Sequence, residues 1–149
     1  MKTRKIMPPT YTLIAMLIMI ALNFLFPIAV IIPSPWNLLG IIPTALGVYI
    51  AVVAENAFRE AKTTVRPFQE SSVLVTAGMY RISRNPMYLG LVLTLVGVAF
   101  LLRSLTPFGV IPLFVLMIET MFIRIEERML TTRFGTAYTA YTEKTRRWL

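Results

Sequence analysis

The sequence predicts an all-α integral membrane protein with about four transmembrane helices, and three observations carry that reading. Of its 149 residues, 56% are hydrophobic and 15% charged, against roughly 45 to 50% and about 25% in a soluble domain. Residues 6–54 contain no Asp, Glu, Lys or Arg; as one helix they would run roughly 73 Å beside a hydrocarbon core of about 30 Å, so the stretch crosses twice. Fourteen of the fifteen Lys and Arg residues fall in segments that a four-crossing map places on one face, as expected of cytosolic loops.

The elements follow in order. The first uncharged run breaks at Pro33-Ser34-Pro35, because two prolines within three residues cannot continue a helix and favour a tight turn. This puts the first helix over 11–32 and the second over 36–59. The run is too long for the apolar part of a signal peptide, and no small-residue cleavage site follows it. A second uncharged run predicts the third helix over 86–102. After Arg103 the apolar pattern resumes, with Glu119 as its only charge up to residue 123, and predicts the fourth over 107–130. The short connection makes these two an antiparallel hairpin, with Pro112 placed to kink the fourth near its start. An interfacial helix over 131–147 closes a single domain, 1–149. Leu130, Phe134, Tyr138 and Tyr141 are spaced to share one helical face, and Arg146, Arg147 and Trp148 finish it as an anchor.

The charges test this map. Lys2, Arg4 and Lys5 precede the first helix; Arg59, Lys62, Arg66, Arg81 and Arg84 lie between the second and third; Arg124, Arg128, Arg133, Lys144, Arg146 and Arg147 follow the apolar part of the fourth. Only Arg103 lies opposite, so both termini are expected in the cytosol of a bacterial or archaeal cell, with the protein in its inner membrane. The net charge of +8 fits anionic headgroups, and no basic fold motif points to nucleic acid. With no Cys and no His, every thiolate and imidazole is absent, which excludes a thiol nucleophile, an imidazole base and zinc-finger or haem sites built on those groups.

The inner segments, about 25 residues between the second and third helices and about 20 after the fourth, are longer than connections require and are where function is expected. Arg84-Asn85-Pro86-Met87-Tyr88-Leu89-Gly90 combines an N-cap residue with proline at the first helical position. The free amides and positive pole of that helix, beside Arg84, attract a carboxylate or phosphate; the plainer alternative is a capped helix with Arg84 snorkelling to headgroups. Glu119, Glu126 and Glu127 lie where the fourth helix leaves the bilayer, and positions 119 and 126, seven apart, share a face. Ionisable groups at that depth suggest function. The alternative is helical ion pairing, Arg124 with Glu127, worth a few tenths of a kcal/mol.

Together with Leu74-Val75-Thr76-Ala77-Gly78-Met79-Tyr80 upstream, and with Glu126-Glu127-Arg128-Met129-Leu130, Phe134-Gly135 and Tyr138 to Tyr141 downstream, these segments resemble the membrane-embedded methyltransferases that include isoprenylcysteine carboxyl methyltransferase and the phospholipid methyltransferases. The resemblance covers roughly the C-terminal half. It implies an S-adenosylmethionine-dependent methyltransferase whose cofactor lies on the cytosolic side, at Leu74, Val75, Gly78, Tyr80, Arg84, Asn85, Pro86, Met87, Tyr88, Glu126 and Glu127. Arg124 and Glu127 are implied on the reacting side, and no metal is required. Asn85 stands where many members have His, so a role needing imidazole does not carry over. The implied acceptor is a lipophilic molecule or lipid with a carboxylate, thiol or amine headgroup. Two other classes compete: a four-helix proton-coupled transporter using Glu119 or Glu55, and a non-enzymatic assembly subunit.

Overall fold

The computed structural model describes residues 7–62 and 72–149. Lys2, Arg4, Lys5 and Arg66 of the charge map, and the middle of the segment between the second and third helices, lie outside the described residues.

Helix α1 spans Pro8–Leu25. It starts three residues earlier than expected because Pro8 and Pro9 occupy its first turn, where a missing N–H has no intrahelical partner to lose. It also ends seven residues early. Pro27 disfavours the α conformation in the residue before it, and Phe26 leaves the helix at φ −138°, ψ 58°. The chain beyond is held by the turn that follows α3. Val30 bridges Ser104, the Ile31 and Ile32 amides donate to the Arg103 carbonyl at 2.9 and 3.2 Å, and the Leu105 amide donates to Ala29 at 2.9 Å. Ser104 Oγ meets Asn23 Oδ1 at 2.6 Å, and Arg103, left-handed at φ 72°, donates from Nε to the Ile32 carbonyl.

A 3-10 turn over Trp36–Gly40 leads into α2, Ile41–Glu60. Helix α3 spans Pro86–Leu102, the extent that Asn85-Pro86 and Arg103 predict. Its closest neighbour is α2 rather than the next helix along the chain. Gly40 and Gly47 face Gly97 and Gly90, and a Cβ on Gly47 would stand 2.5 Å from the Gly90 carbonyl oxygen. Small residues here let two backbones touch, the usual device where lipid supplies no hydrophobic drive between helices.

The fourth predicted helix is really three segments: α4 over Val110–Ile118, a π turn over Glu119–Ile123, and α5 over Arg124–Phe134. Pro112 lies in the first turn of α4, so it breaks no ladder bond; the irregularity comes instead at Glu119. Gly135, at φ 49°, then separates α5 from α6, Thr136–Lys144. The expected helix over 131–147 is therefore divided, and its aromatic stripe lies on two helices rather than one face.

This is an all-α membrane fold. Pro8–Leu25, Trp36–Glu60 and Thr106–Phe134 are each long and apolar enough to cross a bilayer, while α3, with 17 residues, rises about 26 Å. Met19, Leu95, Ile118 and Ile123 are fully buried in the core. The outward faces carry Leu13, Leu17, Phe24 and Val48, each about half exposed or more, a surface suited to lipid and not to water.

Candidate functional site

The site forms where the start of α3 meets α5 and the last residues of the chain. Asn85 occupies the N-cap position, but its side chain makes no capping bond, contrary to the expectation from sequence. Nδ2 turns away to donate to the Arg147 carbonyl at 3.0 Å. Ser83 Oγ donates to the same carbonyl at 3.2 Å and accepts the Asn85 amide at 3.1 Å. The Arg84 amide donates to the Arg146 carbonyl at 2.9 Å. The C-terminal residues are thus stitched onto the entry to α3, and the first turn of that helix lacks a side-chain cap.

The three acids divide in a way that an ideal helix would not allow. A π turn takes up about one extra residue per turn, so over Glu119–Ile123 the helix falls one residue out of α register. Eight residues then return the chain to the face that seven would reach. Glu119 consequently shares its face with Glu127, not with Glu126 as the spacing predicts. Arg147 bridges the pair: Nη1 meets Glu119 Oε1 at 3.0 Å, while Nε and Nη2 grip the two oxygens of Glu127 at 3.0 and 2.7 Å. Hydrogen bonding to Glu127 accordingly raises the Arg147 pKa. Arg84 Nη1 also reaches Glu127, at 3.2 Å, and its buried Nε has no hydrogen-bond partner among the described residues. Arg124, expected to pair with Glu127, reaches Glu119 at 3.3 Å instead. Glu126 points elsewhere and accepts from the Tyr88 phenol at 2.8 Å.

The wall on the other side is the turn Gly78–Arg81. Gly78 takes φ 59°, which suits a residue without Cβ, and delivers Tyr80 inward. Tyr80 is buried against Phe58, edge to face at 5.4 Å, and its carbonyl accepts from the Tyr141 phenol at 2.6 Å. Burial raises the Tyr80 and Tyr138 pKa values and pushes Tyr141 up to about 12, so these phenols are hydrogen-bond donors at neutral pH. Tyr138 and Tyr141 face the protein here, which corrects their reading as an interfacial anchor.

Arg84, Asn85, Tyr88, Glu126 and Glu127 converge, with Tyr80 beside them, buried Pro86 and half-buried Met87 in the first turn of α3, and half-buried Leu74 and Val75 leading to the Tyr80 turn. Arg124 lies at the edge of this group, more than half exposed. Sequence reasoning missed Ser83 and assigned Arg147 to the headgroups; nothing local distinguishes Arg147 from Arg146. Both acids of the transporter alternative are ion-paired. Glu119 carries two guanidinium groups, and Glu55 is paired with Arg59 at 2.8 Å.

Comparison with curated proteins gives no match. A family model, however, phospholipid methyltransferase, matches residues 35–137, from the turn before α2 into α6. It takes in the Tyr80 turn, the start of α3, the π turn and all three acids. With about two thirds of the chain and both halves of this meeting point inside the match, the chain belongs to the phospholipid methyltransferase family.

Proposed function

We propose that the chain is an S-adenosylmethionine-dependent methyltransferase acting on a lipophilic acceptor at the cytosolic surface of the membrane. The observation that carries this reading is the meeting of two half-sites of opposite charge: the uncapped start of α3 with Arg84, and Glu126 held by Tyr88. The amino-acid end of the donor bears a carboxylate and an ammonium, and asks for both. Free amides at the positive pole of α3 and the unpartnered Nε of Arg84 suit the carboxylate. Glu126 suits the ammonium, because among the described residues it meets no Lys or Arg. Tyr80 and Tyr88 offer aromatic surface for the adenosine, and the backbone from Leu74 and Val75 to Gly78 offers it hydrogen bonds.

These residues would hold the donor, which when bound would supply a sulfonium methyl for an acceptor lone pair, the carbon–sulfur bond breaking with its electrons returning to sulfur. Alignment and exclusion of water are what the protein then has to contribute. A thiolate or carboxylate acceptor gives up no proton. An amine must lose one, to a carboxylate of the site or to water. Arg124, exposed at the end of the π turn, suits an anionic headgroup approaching from the bilayer. Glu127, with both oxygens held by arginines, acts as a support for Arg84 in this reading.

Two experiments test the proposal. Purified protein in detergent is titrated with S-adenosylhomocysteine by calorimetry, and membranes are incubated with methyl-labelled donor, the label being expected in the lipid extract. Failure of saturable binding overturns the cofactor assignment. In liposomes, long-chain acceptors are expected to react faster than matched short-chain ones at equal total concentration; transfer to soluble acceptors alone overturns lateral entry.

A further inference from the structure

Arg147 is two residues from the last position, yet it bonds both to the entry of α3 and to the acids of the fourth helix. Its guanidinium grips both oxygens of Glu127 side-on and spans to Glu119. Its carbonyl accepts from Asn85 Nδ2 and Ser83 Oγ. On either side, Thr145 is buried and Trp148 packs against the core, so the segment is seated.

We propose that Arg147 is a positioning residue of the methyl-donor site, an inference that rests on the reading above. Its two ends keep two anion-holding groups available. The side chain satisfies Glu127, so Arg84 gives that acid a single contact and retains a buried Nε without a protein partner among the described residues. The main chain holds the Asn85 amide away from the first turn of α3. Without the Arg147 side chain, Glu127 would draw in the Arg84 guanidinium; with the segment unseated as well, Asn85 would be free to cap α3 as asparagine ordinarily does. Both groups would then be satisfied internally. The bidentate grip requires a guanidinium, since the lysine ammonium is a point charge that cannot reproduce the fork.

The test compares the parent with Arg147→Gln and Arg147→Lys by calorimetry with S-adenosylhomocysteine in detergent, reading affinity and stoichiometry separately. Arg147→Gln is expected to raise Kd about tenfold to a hundredfold at unchanged stoichiometry, with Arg147→Lys between it and the parent. A merely structural role would lower the stoichiometry and leave the Kd of the remaining sites at the parent value; that result, or a parent-like Kd throughout, overturns the proposal. Should Arg147→Gln not fold, Arg147→Lys decides, and a Kd equal to the parent's refutes the fork. A parent that does not bind is a different failure, because it removes the donor site itself.

Discussion

The Tyr88 phenol donates to Glu126 Oε1 at 2.8 Å across 38 positions of chain, joining the third residue of α3 to the third residue of α5. The bond fixes the direction of a carboxylate that no cation holds among the described residues. A hydrogen bond to a charged group contributes about 1.5 to 3 kcal/mol. Tyr88→Phe is therefore expected to weaken S-adenosylhomocysteine binding about tenfold or more, and Glu126→Gln by a similar or larger factor. Calorimetry on both variants checks this, and parent-like affinity in the pair would mean that Glu126 does not receive the ammonium.

At Gly90 the contact between α2 and α3 leaves no room for a side chain. A Cβ at Gly90 would lie 2.5 Å from the Gly47 carbonyl and 2.8 Å from the Ala51 amide nitrogen, both backbone atoms that cannot turn aside. Gly90→Ala should therefore force the helices apart at a cost of about 1 to 3 kcal/mol. Thermal melts in detergent read the effect directly. Gly109→Ala, where a Cβ would meet nothing within 4 Å, serves as the control and is expected to melt like the parent.

Topology is open to chemical labelling because the chain has no cysteine. Single cysteines at Lys62 and Leu149 are expected to react from the cytosolic side, and those at Ser34 and Leu105 from the other. Leu105 is preferred to Ser104, which is buried and bonded to Asn23. External reactivity at position 62 would contradict the four-crossing arrangement.

Tyr141 gives the site wall an alkaline limit. Burial, with a further contribution from Tyr138, raises its pKa from 10.0 to about 12. The folded chain holds this proton more tightly than the unfolded one, so the stabilisation is complete below pH 10 and is lost as pH rises towards 12. Melting temperature should fall across that window as phenolate absorbance grows. Tyr141→Phe should remove this component, and at neutral pH it should cost about 1 kcal/mol for the lost bond to the Tyr80 carbonyl.

Much of the architecture was legible because proline, glycine and charge act locally. Asn85-Pro86 and Arg103 bound α3 at the predicted residues. The end of α1 differs from the expectation because the absence of charge reports burial in lipid rather than helical conformation; Pro27 is the local signal that ends the helix. At the site, Arg84, Tyr88 and the glutamate pair stood out by type and position. The π turn did not, since Glu119–Ile123 contains neither proline nor glycine and its register is tied to ion pairs with Arg124 and, from 28 positions away, Arg147. Arg147 itself escaped notice for the same reason: its partners are distant in sequence, and alone it looks like any terminal arginine.

Two consecutive glutamates look interchangeable on paper, and in a straight α-helix the first would point where the second now does. The single extra residue taken up before Arg124 gives them different electrical surroundings. Glu127 is gripped by the chain's own arginines and contributes a fixed brace, whereas Glu126, which meets no Lys or Arg among the described residues, is the oxygen pair left for an incoming cation. Deleting one residue between Glu119 and Ile123 would leave the composition of the acidic pair untouched and still exchange the duties of its members.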